Sequence, residues 1–241
     1  MSDLLASLQS SLPDATTSRN RYASVPGTQV RLLTQTSKMP GPSWSLPAQK
    51  ACPRANGTIC DGCYAVKGCY RYSTTRNAQH VRFTWTLESM RTPAGCHQWI
   101  AHMVSAIRGS GCKYFRVHDS GDLFSVTYAQ CWLEICQQLA RVKFWIPTRA
   151  WQQPAGLLPI LDPLLETLRQ LAGLNNVAVR PSALNFGDSA PIVAGLHAGS
   201  TADMTDPFRA RECPAYRQGG QCANCRACWN AKTTAVSYRR H

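Results

Sequence analysis

Eight of the twelve cysteines in this 241-residue chain stand in two compact groups, one near each end. The first is Cys52, Cys60, Cys63 and Cys69, in CPRANGTICDGCYAVKGCY, and the second is Cys213, Cys222, Cys225 and Cys228, in CPAYRQGGQCANCRACW. Thiolates spaced two residues apart on a turn present both sulfurs to one side, so that they converge on one metal centre. A chain of this length buries a core without covalent staples. The cysteines therefore call for a chemical reason.

No basic stretch followed by an apolar core opens the chain, so a secretory signal is not expected. No apolar run approaches the roughly 20 residues that cross a bilayer. The expectation is a soluble cytoplasmic protein with no membrane partner. In a reducing compartment clustered cysteines indicate metal or redox chemistry, with a disulfide framework as the bland alternative.

The net charge of +13 is unevenly placed. Residues 18–91 carry eleven Lys or Arg against two acids, and residues 205–241 carry seven against two. Positive charge thus travels with the cysteines. It suits either a nucleic-acid backbone or the compensation of a negative thiolate–metal site.

Residues 1–24 are polar and read as a mobile N-terminal segment, ahead of a single cysteine-rich domain over 25–241. Gly and Pro make 25–58 an ordered loop. Helical periodicity runs over 73–91 and 96–108. Three apolar strands follow, at 113–117, 142–146 and 176–179. Helices over 125–140 and 157–172 separate them, the latter aligning Leu161, Leu164, Leu165, Leu168 and Leu171. This alternation predicts an α/β core over 73–190. Its form is a partial (β/α) barrel or small mainly parallel sheet, with the loop-rich ends closing on it.

Chemistry in parallel α/β folds collects at the C-terminal ends of strands. Those ends carry His118, Asp119 and Asp122, then Thr148 and Arg149, then Arg180 and Ser182. Arg149 and Arg180 on one rim suit phosphate or carboxylate, and His118 or Asp119 is the candidate for moving a proton. Asp122 and Ser182 serve equally well as helix caps. Lys38 and Ser182 are expected to contact a cofactor. The aromatics Trp44, Tyr64, Tyr70 and Tyr72 stand among basic residues, where they can stack on bases or simply pack.

The spacings are C-x7-C-x2-C-x5-C and C-x8-C-x2-C-x2-C. The run at 222–228 is closest to ferredoxin-type ligation. One or two 4Fe–4S clusters are the first expectation. Zinc is the alternative, including one site shared by Cys60, Cys63, Cys222 and Cys225. Without Cys69 the first group has three thiolates, which leave one iron open. Cys96, Cys112, Cys131 and Cys136 read as structural thiols.

Five segments, KMPGPSWSLPA (38–48), ICDGCYAVKGCY (59–70), YFRVHDSGDL (114–123), FWIPTR (144–149) and the ending CPAYRQGGQCANCRACW with VSYRRH, resemble the phage gene product eighty-eight family. The resemblance spans about residues 30–241. It implies a phage or mobile-element protein acting in a bacterial host. It carries Cys52, Cys60, Cys63, Cys213, Cys222, Cys225 and Cys228 as ligands, puts Cys69 at a variable position and sets His241 near the metal. It implies no reaction.

Three functions stay open. The first is an iron–sulfur enzyme laid out like the radical S-adenosylmethionine enzymes, with an electron donor as partner and a nucleic acid or nucleotide as substrate. Its first three cysteines depart from the C-x3-C-x2-C spacing usual there. The second is a metal-stabilised nucleic-acid or host-protein binding module without catalysis. The third is zinc-supported hydrolysis at the HDSGD turn.

Overall fold

A computed structural model describes residues 23–54, 57–153, 156, 161–202 and 210–239. His241 and nearly all of the 1–24 segment lie outside the described residues. Four parallel strands, β1 (Ser43–Ser45), β2 (Tyr114–Ser120), β3 (Lys143–Thr148) and β4 (Val177–Pro181), form one open sheet in sequential order. Helices α1 (Ser73–Ser89) and α2 (Pro93–Gly109) connect β1 to β2. Helix α3 (Val126–Gln138) joins β2 to β3, and α4 (Pro163–Ala172) leads into β4. The expected α/β class with a parallel sheet and no closed barrel is what the chain forms.

Three of the four helices start by one grammar. Thr92, Ser125 and Asp162 each accept a backbone N–H of the first turn, and Pro follows Thr92 and Asp162, where its missing N–H costs nothing. The Asp162 cap sets the start of α4 later than the leucine pattern suggests. Leu161 precedes the cap and is 62% exposed, so it is not part of the buried stripe of Leu164, Leu165, Leu168 and Leu171.

One face of the sheet packs on these helices. Phe115, Val117, Phe144, Ile146, Val177 and Val179 meet the buried residues of α2, α3 and α4. Trp44, Trp99, Tyr128 and Trp132 are wholly buried in an edge-to-face aromatic group with Trp85. Trp44 is therefore core and not a platform for a base.

Four strands escaped the sequence reading. Within the Gly/Pro loop, Ser43–Ser45 is a fully buried strand on β2. Near the end, β5 (Ser200–Ala202), β6 (Arg211–Glu212) and β7 (Val236–Tyr238) make a second parallel sheet in the order β5-β7-β6. A bridge from Ser182 to Ser200 ties it to the end of β4. Among the described residues no helix is long and apolar enough to cross a membrane.

The loop carrying the first cysteines is fastened at Arg54. Its guanidinium forms a two-pronged pair with the buried Asp162 carboxylate and donates to the carbonyls of Ala150 (2.8 Å) and Gln152 (3.3 Å). Burial alone would raise the Asp162 carboxyl, but Arg54 and the amides of Leu164 and Leu165 outweigh it and hold it below the usual range. A depressed carboxyl contributes stability above its unfolded pKa and loses it as pH falls through the folded value. Arg54→Ala should cost about 3 kcal/mol at pH 7, because it strands a buried charge. Thermal melts across pH should show the gap from wild type closing in acid; a gap that persists there would contradict this role.

Candidate functional site

Thr58 starts the turn that gathers the first group. Its Oγ1 accepts the Cys60 N–H at 3.1 Å, and the Cys63 N–H returns to the Cys60 carbonyl. The next turn begins with the Ala65 N–H donating to the Cys63 sulfur at 3.4 Å. These two short turns bring the Cys60 and Cys63 sulfurs within hydrogen-bond reach, with Cys52 close enough to act on both electrostatically. Cys69 is exposed and outside this trio. The segment lies over the C-terminal ends of β1 and β2, where Leu46 N–H donates to Ser120 O and Asp122 N–H to Ala51 O. Gly121 permits the approach: its φ is +90°, and a Cβ there would meet Leu46 Cβ at 2.7 Å.

Asp122 is a strut. Its carboxylate accepts from Thr148 Oγ1 (2.6 Å), Arg149 N (2.7 Å) and Leu123 N (2.7 Å). It holds the end of β3 so that Arg149 acts electrostatically on both Cys52 and Cys60. Arg149 gives its Nε–H to Ala183 O at 2.9 Å, and its terminal nitrogens make no hydrogen bond among the described residues. The Cys63 thiol hydrogen-bonds the Cys60 sulfur and, against burial and with help from Arg149 and Thr58, brings Cys60 down to about 6. Cys52 goes the other way: burial first, then the Asp122 charge, push it up to about 12.

A register irregularity in β2 decides where His118 and Asp119 point. Ser43 pairs with Arg116 and Ser45 with Ser120, so two residues of β1 span four of β2. Such a bulge re-aims side chains. Val117 and His118 both turn to the helices, while Asp119 faces Tyr70 and Arg116 on the opposite side. His118 is buried, with Nε2 on Tyr128 Oη at 2.9 Å, and burial with Arg116 pushes it down to about 3. It is a neutral wall residue, turned from the cysteines, and does not suit the proton transfer expected of it. Asp119 accepts from Tyr70 Oη at 3.2 Å and, through its carbonyl, from Tyr64 Oη. Burial lifts its carboxyl against the pull of Arg116.

Arg180 does not join Arg149. It is fully buried, and its five N–H groups go to the carbonyls of Ala198, Ala227, Cys228, Asn230 and Thr233. No donor is left for a phosphate, so the paired-arginine rim gives way to one arginine at the site and one clamp. The clamp holds the second cysteine group, which begins where Cys213 N–H meets Ser237 O. Cys222 N–H then donates to Lys38 O and Cys225 N–H to Cys222 O. Cys228 contacts Tyr238 Oη at 3.3 Å. Cys213, Cys222 and Cys225 are electrostatic neighbours there, as are Cys213, Cys222 and Cys228. Burial pushes Cys228 up to about 11. Lys38 contributes its charge beside Cys222. Ser182 bonds Ser200 and accepts from Trp151 through its carbonyl, which makes it a joint between the sheets.

Arg116 stands between the groups. Its guanidinium lies 4.5 Å from the Trp145 ring centre, donates to Tyr64 Oη at 3.4 Å, and acts electrostatically on Asp119 and on Cys222. Sequence reasoning passed over Arg116 and Arg54; a basic residue inside a strand, and a second one beside Cys52, were the available signals. Tyr64 and Tyr70 pack edge-on at 5.9 Å and are tied to Asp119, whereas Tyr72 is 65% exposed. Among the described residues no three His, Cys, Asp or Glu side chains are gathered closely enough to hold a single metal ion.

In the metal-free chain the thiolate fraction of Cys60 rises through about pH 6. Iodoacetamide should therefore modify Cys60 before the other cysteines at pH 7, as peptide mapping would show. Arg149→Gln should move that rise to higher pH, and an unchanged profile would separate Arg149 from the thiols.

The searches of curated proteins and of solved structures found no match. A protein-family model described as Gene product 88 matches residues 15–231 and takes in both cysteine groups. The chain belongs to the phage gene product 88 family.

Proposed function

We propose that this chain is an iron–sulfur protein acting in the cytoplasm of a bacterial host, with redox or radical chemistry at its first cysteine group. The observation that supports this is the convergence of Cys52, Cys60 and Cys63, without Cys69, at the C-terminal edge of a parallel sheet beside Arg149. The donor set fits a cluster better than a single ion. Thiolates on a cubane sit at the corners of a cage and need not crowd one point. A cubane held by three of them would keep one iron open to a small ligand such as S-adenosylmethionine.

Cys213, Cys222, Cys225 and Cys228 would hold a second, closed cluster. The chain's own part is to bind and orient. Arg149, aimed by Asp122, would take the phosphate of a nucleic acid or nucleotide through its terminal nitrogens. Tyr64 and Tyr70, locked on Asp119, wall the space between the groups. The excess of Lys and Arg around both groups offsets thiolate charge and would attract a polyanion.

Anaerobic purification with iron, sulfide and zinc analysis tests the reading. About eight irons and eight sulfides per chain are expected, falling to about four in a Cys60→Ala/Cys63→Ala double variant. S-adenosylmethionine should alter the EPR signal of the reduced wild type and not that of the variant. Stoichiometric zinc with neither iron nor sulfide would overturn the redox reading. Nucleic-acid binding that falls steeply with salt would then leave a metal-stabilised binding module.

A further inference from the structure

A third sulfur-rich place lies on the helical side, away from both cysteine groups. Met90 follows the last residue of α1, Cys96 lies in the first turn of α2, and Cys131 is on α3. The Cys131 sulfur is 3.5 Å from the Met90 sulfur, and the Cys96 sulfur is 3.8 Å from it. Cys96 and Cys131 are also electrostatic neighbours. The three sulfurs line a surface cavity of about 410 Å³ with Arg91, His97 and Glu134.

Packing explains a buried cysteine and a neighbouring methionine. It does not explain three sulfurs, from the end of α1 and from α2 and α3, meeting in the lining of one cavity. Three ligands about 2.3 Å from an ion in a plane lie about 4 Å from one another, close to the spacing seen here. Thiolate and thioether are soft ligands that select Cu(I)-like ions over harder ones. Thioether is a poor partner for zinc, which prefers four N, O or thiolate donors.

We propose that Met90, Cys96 and Cys131 form a binding site for one soft monovalent ion, of which Cu(I) is the type. Binding displaces one proton from each thiol to solvent and leaves two thiolates, one thioether and the ion with a net charge of minus one. Arg91 on the cavity wall offsets the remaining charge, and Glu134 opposes it. The site is independent of the iron–sulfur proposal, since it shares no residue with either cysteine group.

The test uses the full chain, purified anaerobically and given Cu(I) as its bicinchoninate complex. Wild type should withdraw one more copper per chain than a Cys96→Ser/Cys131→Ser variant whose iron and sulfide contents equal those of wild type. Met90→Leu keeps the volume and should weaken the extra copper at least tenfold, with sulfur-only three-coordination lost from its X-ray absorption spectrum. Equal copper in wild type and both variants would overturn the proposal. So would a Cys96–Cys131 disulfide, found by mapping the anaerobic protein. Should the double variant fail to fold, Met90→Leu alone decides: unchanged affinity and coordination would overturn the site.

Discussion

A parallel sheet has to be covered on both faces, and among the described residues the α-helices pack on only one. On the other face β2, β3 and β4 present Arg116, Asp119, Trp145 and Arg180, three of them ionisable groups that need partners once water is excluded. The cysteine-bearing segments are the cover. Carbonyls of the 227–233 loop, with that of Ala198, saturate Arg180, and Trp229 donates its indole N–H to Phe115 O at 2.9 Å. Tyr64 and Tyr70 come down on Asp119 from the first group. The requirement to satisfy a polar sheet face therefore sets where the thiols stand.

That arrangement separates structure from chemistry within one set of residue types. Asp122, Arg54 and Arg180 are struts: Asp122 ends on amides and a hydroxyl, Arg54 on the Asp162 carboxylate and two carbonyls, and Arg180 on carbonyls alone. Arg149 keeps its terminal nitrogens beside the thiols. Two arginines at the ends of neighbouring strands look alike in the sequence. They differ because one side chain lies under a loop that closes over it and the other lies beside a loop that stops short.

The helices and three of the four main strands were legible because period and caps are local properties. Trp99, Ile100, Met103, Val104 and Ile107 repeat at helical spacing and are buried along α2. Ser43–Ser45 was not legible: three residues between prolines carry no period, and only pairing with β2 makes them a strand. The same holds for β5, β6 and β7, each two or three residues long. Polarity at strand ends was legible too, but not its direction. The irregularity that turns His118 inward and Asp119 outward depends on which residue of β1 lies opposite.

The sequence by itself determined the α/β class and the two cysteine groups, since spacing and composition act along the chain. Tertiary structure alone decided that the two groups cover one sheet face with Arg116 between them. It alone also decided that Arg180 is a clamp, and that Met90, Cys96 and Cys131 meet across three helices. The reason is physical. Those outcomes depend on which distant groups satisfy a buried donor or fill a contact, and that is fixed only when the segments pack.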